Sequence, residues 1–117
     1  DRGNEYVADL YAAHDPAVLR LIRTSIEVAS RHHLPLSVCG EMSATPATAL
    51  LLVGMGVRCL STPPAALPQV KQAIRDVNLQ DCERMAEQVF EYSTACEVAS
   101  YLKYRLIELL PDMAQGV

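Results

Sequence analysis

Two dipeptides, Asp15-Pro16 and Thr45-Pro46, constrain this chain more than any other feature. Each places a side-chain oxygen just before a proline. The oxygen can accept from a free amide of a first helical turn. Proline, which lacks an N–H, fits that turn because no donor is needed from it. The pairs therefore predict two helix starts. After the first, apolar residues recur at Val18, Leu21, Ile22, Ile26 and Ala29, with Arg20, Arg23 and Glu27 on the other side. That is a helical period. The basic run Arg31-His32-His33 suits a helix C-terminus and predicts the stop. After the second, Ala47-Thr-Ala-Leu-Leu-Leu-Val is apolar almost all round. It predicts a helix to about Met55, buried on most sides, with Gly54 and Gly56 marking its end.

Two short apolar runs alternate with these helices. Leu34 to Cys39, entered through Pro35 and ended by Gly40, reads as a buried strand. Val57 to Ser61, broken by Pro63-Pro64, reads as a second strand. Helices follow over about 66–76 and 79–91, the latter capped by Asn78. A last helix starts at Ser93 or Thr94, and Thr94 with Glu97 fits a capping box. Pro111 stops it. Residues 1–15 read as a loop with a short turn or helix within it. Strands that alternate with helices imply right-handed parallel crossovers. Two parallel strands do not make a sheet that stands alone. The pattern predicts part of a larger α/β unit, or a chain that must associate.

Composition narrows the function. The 117 residues suit one domain or part of one, and half are hydrophobic. With five Tyr, one Phe and no Trp, the core must come from aliphatic residues, which suits α/β or helical packing. The net charge of -4 and the scattered Arg and Lys residues give no basic stripe for nucleic acid. The longest apolar stretch, Ala47 to Val57, is too short to cross a bilayer. The cysteines at 39, 59, 82 and 96 form no CxxC pair and match no zinc spacing. With no signal peptide at the start, free thiols in a reducing cytoplasm are the expectation.

Three stretches act together: Asp1-Arg2-Gly3-Asn4, then Leu36-Ser-Val-Cys39-Gly40-Glu41-Met42, then Leu51-Leu52-Val53-Gly54-Met55-Gly56. In order and spacing they resemble the C-terminal end of the phosphoenolpyruvate–protein phosphotransferases. These are enzyme I of the bacterial sugar phosphotransferase system and its nitrogen-related paralogue. Pyruvate phosphate dikinase and phosphoenolpyruvate synthase share the Cys-Gly-Glu element. The resemblance covers essentially the whole chain. It implies an α/β fold: residues 1–117 as the C-terminal part of a (β/α)8 (TIM) barrel, with the two strands as its seventh and eighth. Cys39 would then stand at the C-terminal end of a barrel strand, where barrel chemistry lies.

The resemblance also implies an activity. Such enzymes move the phosphoryl group of phosphoenolpyruvate to a histidine on another domain of the same polypeptide and release pyruvate. It gives Cys39 the role of general acid that protonates the enolate. A thiol, with a reference pKa of about 8.5, is mostly protonated near neutral pH and can donate. Arg2 matches an arginine that contacts the substrate phosphate, for which a guanidinium offers paired donors. Gly40 and Glu41 match substrate-site positions, the first by allowing close backbone approach. Magnesium is implied as cofactor, its ligands lying outside this chain, as does the phosphorylated histidine. A homodimer in the cytoplasm is expected, without nucleic acid or membrane. After Cys-Gly-Glu the family usually continues through a small residue and Gly-Asp, where this chain has Met42-Ser43-Ala44-Thr45. Asp1 reads as a cut point, and the chain alone is expected to be inert.

The remaining residues read more plainly. Cys59, Cys82 and Cys96 are expected in the core or on helix faces, and His14, His32 and His33 at helix ends rather than as metal ligands. Three other functions stay open beside the enzymatic one. One is a non-catalytic segment for dimerisation. The second is a thiol-based redox or regulatory domain using Cys39. The last is a helical nucleic-acid regulator, disfavoured by the acidic balance.

Overall fold

A computed structural model describes Tyr6 and residues 12–114. The predicted alternation appears in it, with short elements added. The helices are α1 (Pro16–Arg31), α2 (Pro46–Gly54), α3 (Leu67–Asp76), α4 (Leu79–Val89), α5 (Ala95–Leu109) and the single turn α6 (Pro111–Ala114). The strands β1 (Val38–Cys39) and β2 (Leu60–Ser61) flank α2 in the chain. A 3-10 turn at Glu41–Ser43 follows β1.

The caps form where the sequence places them. Asp15 accepts from the Ala17 amide at 2.8 Å, and Thr45 Oγ1 accepts from the Thr48 amide at 3.4 Å. Thr94 and Glu97 make the complete capping box. Asn78 occupies the cap position of α4, but its side chain makes no capping hydrogen bond. Both α1 and α2 stop in the Schellman pattern, in which two amides beyond the helix turn back to its last carbonyls. For α2 these are Gly56 N–H to Val53 and Val57 N–H to Leu52, each at 3.0 Å, with Gly56 at φ 105°. For α1 they are His33 N–H to Ser30 and Leu34 N–H to Ala29, so the left-handed position falls on His33 at φ 54°.

Helix α2 is the centre of the molecule. Its residues 48–52 are all buried, as its apolar sequence predicts. Leu50 and Leu51 join Leu19 of α1, Ala73 of α3, Met85 and Val89 of α4, and Val98 of α5 in the main core. The other side of α2 presents Leu52 to a smaller cluster with Ile26 and Val57, against which Leu36, Val38 and Leu60 pack. Arg23 of α1 sets its guanidinium 4.9 Å from the centre of the Phe90 ring, which helps seat α1 on the end of α4.

The strands are parallel, with Val38 opposite Leu60 and Cys39 opposite Ser61. Side chains alternate between the faces of a strand. Val38 and Leu60 turn inward to the helices, whereas Ser37, Cys39, Cys59 and Ser61 are exposed. The expectation of a buried β1 is therefore half right: helices cover one face, and no described element covers the other. Cys59 is likewise corrected, for it lies on the open side instead of in a core. Cys82 is buried in the main cluster, and Cys96 is exposed on α5.

Candidate functional site

The open face of the sheet ends in the residues singled out from the sequence. Cys39 is the last residue of β1 and is exposed. Gly40 follows with φ 96° and ψ -161°, a conformation that L side chains rarely adopt. A Cβ built on Gly40 would meet nothing within 4 Å. The glycine is thus required by the backbone angle, not by crowding. The turn it makes starts the 3-10 segment and carries Glu41, which is exposed. Cys39, Gly40 and Glu41 are therefore consecutive at one strand end. Arg2 lies outside the described residues.

One residue that sequence reasoning passed over organises this end. Ser43 is fully buried. Its hydroxyl lies 2.7 Å from the Gly40 carbonyl oxygen and 2.5 Å from that of Ser61. Its amide donates to the Gly40 carbonyl at 3.2 Å, and its own carbonyl accepts from Thr62 Oγ1 at 2.9 Å. Beside these, Val38 N–H donates to the Cys59 carbonyl at 3.0 Å. The turn after β1 is thus tied to the end of β2 by two hydrogen bonds, Ser43 Oγ to the Ser61 carbonyl and Thr62 Oγ1 to the Ser43 carbonyl. A serine within a short loop carries no pattern that reveals such a partner 18 residues away.

Residues 42–45 take ordinary conformations. Ala44 has φ -95° and ψ -12°, ordinary right-handed values that need no glycine. Thr45 caps α2, a task for which aspartate and threonine are both suited. Met42-Ser43-Ala44-Thr45 thus complete a 3-10 turn and start α2.

A cavity of about 250 Å³ adjoins the turn, lined by His14, Glu41, Met42, Thr45 and Thr48 with Ala12 and Ala13. Burial lowers the pKa of His14, which favours the neutral imidazole. The sequence placed His14 at a helix end but did not connect it with Glu41. Among the described residues, no group of three or more His, Cys, Asp and Glu side chains is arranged to hold a metal ion. Nor is any helix among them long and apolar enough to cross a membrane.

Residues 1–79 match the family described as PEP-utilising enzyme, PEP-binding domain. Several curated relatives are similar over more of the chain. A phosphoenolpyruvate-protein phosphotransferase of Borreliella burgdorferi is 37% identical over 101 residues, 86% of this chain and 18% of the relative. One from Haemophilus influenzae is 34% identical over 108 residues, 92% of this chain and 19% of that protein. One from Cupriavidus necator is 39% identical over 103 residues, 88% of this chain and 18% of that protein. The chain thus spans under a fifth of the length of these relatives. A parallel β-α-β unit with Cys39-Gly40-Glu41 at its strand end accompanies a match over two thirds of the sequence, and the chain belongs to the family of PEP-utilising enzyme, PEP-binding domains.

Proposed function

We propose that this chain is the C-terminal part of the phosphoenolpyruvate-binding (β/α)8 barrel of a phosphotransferase, with β1 and β2 as its last two strands. The observation that carries the reading is the exposure of Cys39 on the open face of β1, directly before the left-handed Gly40. A face lined by the small side chains of Ser37, Cys39, Cys59 and Ser61 suits the interior end of a barrel, where substrate is held at the C-terminal ends of the strands.

The chemistry follows from the bonds that must change. The P–O bond to the enol oxygen of phosphoenolpyruvate breaks, and a P–N bond forms on a histidine of another domain. Positioning and charge stabilisation dominate such a transfer. The enolate left behind takes a proton from the Cys39 thiol at its methylene carbon, giving pyruvate. The thiolate then recovers a proton from water. Arg2 contacts the phosphate, and Gly40 and Glu41 border the substrate. Magnesium is the ion that the resemblance implies, and we assign its ligands, together with the phosphohistidine domain, to other parts of the polypeptide. The isolated chain is then inert, and the whole enzyme works as a cytoplasmic homodimer.

The test is Cys39→Ala in the full-length polypeptide, with pyruvate release and histidine phosphorylation followed separately. A general acid contributes about 10²- to 10⁴-fold, so pyruvate release should fall by that order while the protein stays folded. Unchanged release would make Cys39 a packing residue. In that case a second reading takes over, in which the chain serves association between subunits. Its supporting observation is the exposure of Val18, Leu21 and Val28 at 40%, 70% and 43% along one side of α1.

A further inference from the structure

We infer that Ser43 is the positioning residue of the Cys39 turn, a buried strut that sets the distance between the ends of β1 and β2. The inference rests on the proposed role of Cys39 for its catalytic consequence, and on the hydrogen bonds alone for its geometry. A serine hydroxyl has one proton. Here it faces two carbonyl oxygens, of Gly40 at 2.7 Å and Ser61 at 2.5 Å, and so forms a three-centre contact between two strand ends. The side chain is fully buried, so water does not compete for the proton. Thr62 adds a second tie, donating from Oγ1 to the Ser43 carbonyl at 2.9 Å.

The need for such a strut is visible in the sheet. Each strand has two residues, so the ladder itself fixes little. Gly40 has no side chain to pack and sits between Cys39 and the 3-10 turn. Without a strut, the peptide that follows Cys39 could rotate, and the thiol would move with it. Displacement of a reacting group by about 1 Å can cost on the order of a hundredfold in rate. Residues 43 and 62 do not need to touch substrate for this. They act through the Gly40 and Ser61 carbonyls.

Two variants of the full-length polypeptide test the strut, each with two readouts. Ser43→Ala removes the hydroxyl with little change of volume, and Thr62→Val removes the second tie with none to speak of. The first readout is the ratio of the single-turnover rate constant for pyruvate release to that for histidine phosphorylation, which does not depend on the fraction of protein folded. The second is amide hydrogen exchange at Val38 and Ser43. In Ser43→Ala the ratio should fall about tenfold, and both amides should exchange about tenfold faster while those of α4 and α5 stay protected. Thr62→Val should shift both in the same direction by less. Unchanged exchange at both amides in both variants overturns the strut. Faster exchange with an unchanged ratio, where Cys39→Ala does lower that ratio, overturns the positioning role. If Cys39→Ala leaves the ratio unaltered, the general-acid assignment has failed instead. Faster exchange in Ser43→Ala then still supports the strut, and unchanged exchange still removes it.

Discussion

Gly54, in the last turn of α2, lies directly against the backbone of Cys82 in α4: a Cβ on Gly54 would stand 2.0 Å from the Cys82 carbonyl oxygen. No side chain can be accommodated there, since the obstructing atoms are main chain. The glycine in Gly54-Met55-Gly56 is therefore a packing requirement between two helices, while Gly56 serves the turn.

It follows that Gly54→Ala forces α2 and α4 apart. Overpacking of this kind costs about 1–3 kcal/mol, and more where backbone must move. The expected outcome is a lowered thermal midpoint, measured by circular dichroism melts. A melt unchanged from the parent chain would show that the helix contact is looser than described.

His33 offers the opposite sign. It holds a left-handed angle, φ 54°, in the Schellman stop of α1 and is exposed. Glycine adopts that angle without the Cβ clash, which costs about 1–2 kcal/mol in other residues, though it loses more entropy on folding. His33→Gly should therefore stabilise the chain by about 0.5–1 kcal/mol. Denaturant midpoints with an unchanged slope would check it; destabilisation would show that His33 makes a favourable contact.

The cap of α5 should respond to acid. Glu97 accepts from the Ser93 amide, the Thr94 hydroxyl and the Thr94 amide, each at 3.0 Å, and these bonds hold its pKa below the usual carboxylate value. A depressed folded pKa contributes stability that is present above the unfolded value and lost as pH falls through the folded one. The start of α5 should thus loosen as pH drops below the ordinary glutamate range. Glu97→Gln should flatten that dependence, as read by hydrogen exchange of the Glu97 amide against pH. A variant that keeps the parent's pH profile would place the effect elsewhere.

The thiols should separate into two classes. Cys39, Cys59 and Cys96 are exposed, whereas Cys82 is buried and burial, with Asp81 next, raises its pKa. The thiolate is the reactive form. Alkylation of the native chain near neutral pH should label three thiols quickly and Cys82 only on unfolding. Mass spectrometry of the modified peptides decides this, and early labelling of Cys82 would mean that α4 opens readily.

Much of this was legible in local chemistry. Asp15-Pro16, Thr45-Pro46 and Thr94 with Glu97 announce their helices, because caps and prolines act within one turn. The run around Leu50–Leu52 announced its own burial. Cys39-Gly40-Glu41 stood out through resemblance, and the structure gathers the three at the end of β1. Other features stayed hidden because their causes lie far along the chain. Asn78 sits at a cap position without a capping bond. His33 takes an angle usually given to glycine, so composition concealed that turn. Cys59 lies in an apolar run just before β2 and nevertheless is exposed.

By itself, then, the sequence determined where the five longer helices begin, that two short parallel strands alternate with helices, and which family the chain resembles. These depend on interactions within a few residues or on motifs of fixed spacing. Only the tertiary structure decided which face of the sheet is left open, that Gly54 must be bare against Cys82, and that Ser43 joins Gly40 to Ser61. The reason is physical: a hydroxyl or a missing Cβ has meaning only through the atom opposite it, and the fold chooses that atom.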